Sequence, residues 1–151
     1  MGVLPSTTLN EMRSRERFVA EPCAILGSID HVSGGPHQVP VTFVVLERDG
    51  ADHLYVPLDH KPKTSPNLKR FRNIRAHPTV SLLVNHYDPD WNHLWWAKAD
   101  GSAVVTEADE LPADLAEAFA AKYSQYVQLT PAGVVIDVTV TRWSGWSFTE
   151  L

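Results

Sequence analysis

The sequence has 151 residues, 44% of them hydrophobic and 21% charged, which is enough to form one domain with an apolar core. The formal net charge of -5 argues against a general nucleic-acid-binding protein and against a polybasic membrane-binding protein. A single cysteine, Cys23, excludes a disulfide within the chain and a zinc site built from paired cysteines. We therefore expect one domain over residues 1–151 that binds a small ligand.

The first half of the chain predicts a short helix followed by a β-meander. Charged residues around spaced apolar ones predict a helix over residues 8–20, with Thr8 as its cap. Three β-rich runs separated by turn-forming residues follow, over residues 24–32, 38–47 and 53–59. Pro57 removes a ladder donor, so we expect the third strand to lie at an edge or to carry a bulge.

The second half of the chain alternates helices with strands. The periodicity predicts helices over residues 67–76 and 112–123, and strands over residues 79–85, 94–105 and 134–142. About six antiparallel strands and three peripheral helices result. A sheet of six strands leaves unpaired N–H and C=O groups on its two edge strands, and closing into a small barrel pairs them.

The chain contains no run of roughly 18 apolar residues, the length that a membrane helix requires. Residues 1–17 lack the apolar region of a signal peptide. The single thiol also favours a reducing compartment. We therefore expect a cytoplasmic protein with no membrane partner.

Basic residues are concentrated in one segment. Six of the 13 lie between Lys61 and Arg75, a stretch without Asp or Glu, so the rest of the chain carries a net charge of -11. A solvated helix face paired with acids elsewhere would explain Lys69, Arg72 and Arg75. Lys61 and Lys63 flank Pro62 between a strand and a helix, a position that favours binding of an anionic group, with phosphate the leading candidate.

Other groups of residues that could suggest a metal, nucleic-acid or catalytic site have simpler interpretations. His86, Asp88, Asp90 and His93 match no metal-site spacing, and a polar turn between strands explains them. The tryptophans at 91, 95 and 96 lie in an acidic part of the chain, which disfavours nucleic acid, and we expect core or interface packing for Trp91, Trp95 and Trp143. We interpret Cys23 as a small buried residue rather than a nucleophile. No nucleophile-elbow motif indicates a hydrolase.

Several motifs together resemble a known family. They are GPHQVPV at residues 35–41, LYVPLDHKPK at 54–63, LKRFRNIRAHPTVSLLV at 68–84, YDPDW at 87–91, LWW at 94–96, DGSA at 100–103, KYSQY at 122–126 and RWSGW at 142–146. This combination resembles the flavin and deazaflavin oxidoreductases related to pyridoxamine 5'-phosphate oxidase. It is similar in particular to an actinobacterial subgroup regarded as dependent on coenzyme F420.

The resemblance implies a mainly β, six-stranded antiparallel split β-barrel that forms a homodimer with two cofactor sites at the subunit interface. Lys61 and Lys63 would then hold the cofactor phosphate, and the backbone of residues 37–41 would lie beside the ring. The full set of implied cofactor-binding residues is His37, Gln38, Val39, Pro40, Val41, Asp59, Lys61, Lys63, Arg70, Asn73, Trp96, Tyr126 and Trp146. Tyr126 and Trp146 would come from the partner subunit.

The residues themselves agree with this expectation at one point. Pro36 and Pro40 restrict the backbone between them, which would preform a flat wall for a rigid ring. His37 is either a ligand contact or proton donor there, or a plain strand histidine. No catalytic acid or base is required, because the cofactor itself carries the hydride chemistry.

The hypothesis favoured at this point is an F420-dependent oxidoreductase that passes a hydride to a small unsaturated or carbonyl-containing substrate. One alternative is an FMN-dependent oxidase or reductase of the same fold. Another is a non-catalytic carrier of a flavin-like or tetrapyrrole ligand, motivated by the absence of any side chain that the chemistry demands.

Overall fold

A computed structural model of the chain describes residues 7–58 and 69–149, and most of these belong to one antiparallel sheet. Its strands are β1 (Thr7–Leu9), β2 (Ala24–Ile29), β3 (Pro36–Val41), β4 (Val44–Arg48), β5 (Ala51–Pro57), β6 (Thr79–His86), β7 (Trp95–Glu107) and β8 (Val134–Ser147). The helices are α1 (Glu11–Val19), α2 (Lys69–Ala76), α3 (Ala113–Lys122) and α4 (Gln125–Gln128), with a 3-10 turn at Trp91–His93. In the described part of the chain, no helix has the length and apolar character needed to cross a membrane.

The strand order explains how the sheet closes. Neighbouring strands follow the path β3-β2-β6-β7-β8-β5-β4, and β1 pairs with β8 beside this path. The first and last strands of the path, β3 and β4, are consecutive in the chain and are separated only by Thr42 and Phe43. The sheet is therefore closed by the covalent chain, which confirms the predicted split β-barrel.

The barrel interior follows from residue alternation. Along β7, Trp95, Ala97 and Ala99 are buried, whereas Trp96 and Lys98 point to the other face and are half-buried. Phe18 of α1 is fully buried and packs on Phe43 and Trp143, with ring centroids 5.0 and 5.2 Å apart. Helix α1 therefore contributes an aromatic ring to the barrel core, and its burial is a large stabilising term.

A glycine permits the one irregularity in the pairing of β7 with β8. The register shifts between Asp100 and Gly101. A Cβ atom at Gly101 would lie 2.3 Å from the carbonyl oxygen of Thr139. Only glycine fits at this bulge, which bends the strand as the barrel curves.

Two predicted boundaries were wrong. The segment predicted as a helix over residues 8–20 begins as β1, and the helix starts after Asn10, whose side chain accepts a hydrogen bond from the Arg13 N–H at 2.8 Å. Asn10 therefore caps α1, and Thr8 does not, because Thr8 pairs with β8. The run predicted as one strand over residues 38–47 is broken into β3 and β4. The described residues thus form eight strands rather than six.

The edge interpretation of Pro57 was also wrong. Strand β5 pairs with β4 on one side and with β8 on the other, so it lies inside the sheet. Pro57 is its last residue, and the pairing with β4 has already ended at Tyr55. The missing N–H therefore costs no ladder bond to β4.

Candidate functional site

A cavity of about 190 Å³ lies where the break between β3 and β4 meets the end of β5 and the start of α2. Its lining residues are Cys23, Pro40, Val41, Thr42, Val56, Pro57 and Arg70. Pro40 and Pro57 have fixed φ angles and no N–H, so they form stiff walls. The cavity is therefore a preformed cleft at the point where the barrel is split.

Arg70 is the charged side chain among these lining residues. It is the second residue of α2 and is half-buried, and its guanidinium carbon lies 5.5 Å from the centre of the Phe71 ring. A guanidinium at the edge of an apolar cleft favours an anionic ligand. The cavity thus combines a flat backbone wall with a positive charge.

Two residues that line the cavity, Pro57 and Arg70, flank residues 59–68 in the sequence, and this stretch includes Lys61 and Lys63. Asp59, Lys61 and Lys63 lie outside the described residues. Their assignment to the site therefore stays a prediction.

Helix α2 is held in place by polar contacts to the turn after β2. Lys69 forms an ion pair with Asp30 at 2.5 Å. This hydrogen bond, with those from the N–H groups of Ser33 and Val32, holds the pKa of Asp30 far below its ordinary value. These contacts set the position of Arg70, which follows Lys69 directly.

Asn73 belongs to the same anchor. Its side chain is fully buried, and its Oδ1 accepts a hydrogen bond from the His31 N–H at 2.9 Å and lies 2.7 Å from His31 Nδ1. Its amide nitrogen donates to Ser28 Oγ at 3.5 Å. Because its hydrogen-bond partners belong to β2 and the turn after it, Asn73 holds α2 against the barrel.

Residues 37–41, whose backbone was predicted to lie beside the cofactor ring, do not all line the same cavity. Pro40 and Val41 line the cavity beside Arg70. His37 and Gln38 line a separate groove of about 340 Å³ on the outer face of the sheet. Val39 packs against the barrel core instead. The Nδ1 atom of His37 is buried and has no hydrogen-bond partner among the described residues.

The two predicted tryptophans face each other on the outside of the barrel. Trp96 of β7 pairs in register with Trp146 of β8, and both are half-buried. Neither lines the cavity beside Arg70 within one protomer. Their contribution to a cofactor site stays a prediction that depends on a second subunit.

Tyr126 is placed differently from the tryptophans. It is buried against Phe119 and Tyr123 of its own chain, with ring centroids 5.7 and 5.5 Å apart. Its hydroxyl oxygen lies 3.0 Å from Thr42 Oγ1. Tyr126 therefore reaches the cavity wall through Thr42 of the same protomer.

Tyr123 is a site residue that the sequence interpretation missed. Its hydroxyl oxygen accepts a hydrogen bond from the Phe43 N–H at 2.9 Å and lies 3.0 Å from the Phe43 carbonyl oxygen and 2.7 Å from that of Pro22. Burial raises the pKa of this phenol, so it stays protonated and able to donate. Tyr123 thus satisfies the backbone at the strand break that forms the cavity wall.

Cys23 was also misjudged. The structure places it in an exposed position lining the cavity, rather than in the core. The adjacent residue, Ala24, is the first of β2 and is buried, and alternation turns the cysteine outward. The only thiol of the chain therefore lies at the candidate site.

Asp88, Asp90 and His93 lie in the predicted polar turn after β6, whereas His86, which was assigned to the same turn, is the last residue of β6. Asp88 accepts a hydrogen bond from the Asp90 N–H at 2.8 Å, and Asp90 accepts one from the Asn92 N–H at 3.1 Å. These side chains cap backbone donors of the turn. Across residues 7–58 and 69–149, no group of three or more His, Cys, Asp or Glu side chains is arranged to hold a metal ion.

The antiparallel sheet is closed, helices flank it, and the cavity beside Arg70 lies where β3 and β4 are separated. These features define a small split β-barrel protein. The sequence model of the pyridoxamine 5'-phosphate oxidase family matches residues 12–147. The chain belongs to this family. A comparison with curated proteins found no match.

Solved structures share the fold at low sequence identity. An FAD-binding protein from Mesorhizobium loti is 17% identical, with a TM-score of 0.63 over 93% of this chain and 95% of that chain. The FAD binding protein from Mycobacterium smegmatis is 20% identical, with a TM-score of 0.60 over 95% and 98%. A conserved protein of unknown function from Corynebacterium diphtheriae is 17% identical, with a TM-score of 0.61 over 96% and 99%.

Proposed function

We propose that the protein is an oxidoreductase that binds a flavin-type cofactor in the cavity beside Arg70, with coenzyme F420 as that cofactor. The observation that carries the proposal is that a proline-stiffened strand end and the Arg70 guanidinium, which stand before and after Lys61 and Lys63 in the sequence, line the same cavity. Family membership supports a flavin-related oxidoreductase or binding protein. The description of two similar structures as FAD-binding supports a flavin-type ligand.

The residues present fit such a group in their chemistry. The backbone of residues 40–42 offers a flat wall, and Arg70 offers a partner for an anionic substituent. In this proposal Lys61 and Lys63 supply further positive charge to the same anionic end. When bound, the cofactor would supply the hydride chemistry, and the protein would position its ring and keep the substrate beside it.

The size of the cavity supports a dimeric site. About 190 Å³ is below the roughly 300 Å³ at which small-molecule sites usually begin. Pro40 pairs with Ile25, and Ile25 pairs with Leu83, so this row of outward-facing residues continues from the cavity edge across the sheet. Leu83 is 38% exposed although it is large and apolar. In our proposal a second copy covers this face and completes the site, bringing Trp96 and Trp146 to it.

The substrate in this proposal is a small molecule with a carbonyl group or an activated double bond, since such groups accept a hydride. Among the residues that the structure describes, the side chains that line the cavity include no His, Asp or Glu. The proton that completes the reduction therefore comes from solvent, or from a residue outside this lining. The same observation favours a second candidate function, a carrier that binds the cofactor without turnover.

Titration of the purified protein with F420 and with FMN, followed by fluorescence, tests the proposal. We expect F420 to bind at micromolar concentration and FMN more weakly. Tighter binding of FMN would move the assignment to the FMN-dependent alternative, and no binding of either below millimolar concentration would contradict both. Oxidation of bound reduced cofactor by added carbonyl acceptors, measured by stopped flow, separates an enzyme from a carrier.

Cys23 offers a second readout of the same site. Because it is the only cysteine and lines the cavity, a thiol reagent reports whether the cavity is covered. We expect saturating F420 to slow labelling of Cys23 several-fold. Labelling at an unchanged rate, with the cofactor shown to be bound, would place the cofactor elsewhere.

The double substitution Lys61→Ala and Lys63→Ala tests the phosphate assignment. We expect it to weaken cofactor binding by roughly 2 to 4 kcal/mol, because it removes two charge-assisted contacts. Arg13→Ala is the control, since Arg13 lies on α1 and pairs with Glu16 at 3.9 Å. Equal affinity of the double variant and the control would assign both lysines to a solvated surface.

A further inference from the structure

A second cavity, of about 290 Å³, lies on the side of the strand break that faces α1 and α3. Its lining is Val19, Val44, Val45, Ala118, Ala121 and Lys122. Five of these side chains are aliphatic and one is an amine. The cavity is separate from the one beside Arg70, because the two share no lining residue.

Lys122 differs from the other described lysines in its surroundings. Lys69 pairs with Asp30 and Lys98 with Asp100. Lys122 has no carboxylate within 4.0 Å among the described residues. Its Nζ instead donates to the carbonyl oxygen of Val19 at 3.3 Å and lies 3.6 Å from the centre of the Phe43 ring.

Burial in this cavity opposes the charged form of the amine. It lowers the pKa of Lys122 to about 8, although the negative charge of Glu21 and the contacts with Val19 and Phe43 favour the ammonium. About a tenth of Lys122 is therefore unprotonated at pH 7, whereas an ordinary lysine is almost fully charged. An unprotonated amine in an apolar cleft is a nucleophile.

We propose that Lys122 is a covalent binding site for small aliphatic aldehydes, with the alkyl chain held in the valine- and alanine-lined cavity. The Nζ lone pair attacks the carbonyl carbon, both N–H protons of the neutral amine pass to the carbonyl oxygen, and that oxygen leaves as water. A C=N bond to Nζ replaces the C=O bond. No oxidant or reductant is consumed, and hydrolysis reverses the step.

The lining favours an aldehyde over other electrophiles that modify lysine. Carbon dioxide would leave a carbamate anion, and the lining, as far as the structure describes it, contains no second cation to stabilise it. A thioester donor would bring a large leaving group, which a cavity of about 290 Å³ does not accommodate along with the acyl chain. An imine adds no negative charge, and its carbon chain gains from burial.

The test treats the full-length protein with butanal and cyanoborohydride at about pH 7.5, followed by peptide mass spectrometry. The reducing agent converts each imine to a stable secondary amine. We expect Lys122 to be labelled about tenfold faster than Lys98, because its neutral fraction is larger. We also expect this preference to shrink with glycolaldehyde, whose polar chain gains nothing from the cavity.

Two variants of α3 separate binding in the cavity from simple exposure of the amine. Ala118→Leu fills the cavity and should slow labelling of Lys122 without changing that of Lys98. Ala113→Leu, at an exposed position of the same helix, is the matched control and should leave both rates unchanged. Circular dichroism confirms that each variant is folded.

Either of two results would overturn the proposal. Labelling of Lys122 no faster than that of Lys98 would show that the amine is not activated. Equal preference for Lys122 with butanal and with glycolaldehyde would show that the cavity does not bind the chain, and these wild-type measurements hold even if Ala118→Leu does not fold. Cofactor binding plays no part in any of these measurements.

Discussion

The barrel interior and the lobe formed by α3 and α4 are both buried, but they are built differently. The interior cluster has twenty buried residues among those described, and none is a tyrosine. The lobe has eight, namely Val44, Tyr55, Leu111, Leu115, Phe119, Tyr123, Tyr126 and Val135. Three of the eight are tyrosines, and each hydroxyl contacts a polar group.

The difference follows from where the backbone finds its hydrogen bonds. Inside the barrel, neighbouring strands satisfy one another, so the side chains are free to be apolar. At Thr42 and Phe43 the ladder is interrupted, and the Tyr123 hydroxyl supplies partners for the N–H and the carbonyl oxygen of Phe43, while the Tyr126 hydroxyl contacts the Thr42 side chain. The interior thus contains more buried apolar side chains than the lobe, whereas the lobe bonds to the backbone next to the cavity wall.

The substitution with the largest expected effect on stability removes an aromatic ring from the barrel interior. Phe18→Ala should lower the free energy of unfolding by about 3 to 5 kcal/mol, because the ring is fully buried against Phe43 and Trp143. Met12→Ala is the control on the same helix, where the side chain is 66% exposed. It should change stability by less than about 0.5 kcal/mol in urea unfolding. Similar losses in both variants would show that α1 is not packed as described.

The next test removes one hydroxyl from the lobe. Tyr123→Phe should cost about 1 to 3 kcal/mol of stability, since it leaves the buried N–H of Phe43 without its partner. It should also weaken cofactor binding, because Phe43 adjoins the cavity wall at Thr42. The comparison is Tyr126→Phe, which removes a hydroxyl contact to the Thr42 side chain and should have a smaller effect on stability. Lower stability with unchanged cofactor affinity would refute a positioning role for the lobe.

A pH experiment tests a polar contact on the barrel side. Burial acts to raise the pKa of Asp52, but hydrogen bonds from Arg15 Nε and Trp143 Nε1, each 2.9 Å long, outweigh it, so the pKa lies below 3.8. The folded state therefore gains stability from ionised Asp52 above pH 3.8 and loses it as the pH falls through the lowered value.

Asp52→Asn should accordingly cost about 1 kcal/mol near neutral pH and progressively less in acid. Urea unfolding of both proteins at several pH values measures this. A difference that stays constant down to about pH 2 would assign the effect to packing rather than to charge.

The smallest effect is expected at the surface. Arg75 of α2 and Glu107 of β7 form an exposed ion pair at 2.8 Å. Glu107→Gln should change stability by less than about 0.5 kcal/mol, because solvent screens the pair. A larger loss, measured at low and high salt, would mean that surface charges matter to the docking of α2 as much as Asp30 does.

Much of the fold could be predicted from local patterns. The alternation along β7 and β8 predicted strands with one buried face, and the apolar spacing in residues 112–123 predicted α3. The boundary at Asn10 was missed because Thr8 and Asn10 are both good caps, and pairing of β1 with β8 decided between them.

The candidate site could be predicted only in part. Pro40, Val41 and Arg70 do line one cavity, whereas His37 and Gln38 line another. Cys23 was assigned to the core because a small apolar thiol is usually buried, and nothing in its immediate neighbours showed that it faces the cleft.

The sequence by itself determined that this chain is a mainly antiparallel β-protein of one family and that its positive charge is concentrated in one segment. These properties are local, since they depend on residue alternation, capping and composition. Only the tertiary structure decided where the sheet is broken, because residues 38–47 are β-prone throughout. The break is held by Tyr123, about eighty residues away, and no local pattern encodes a contact between such distant residues.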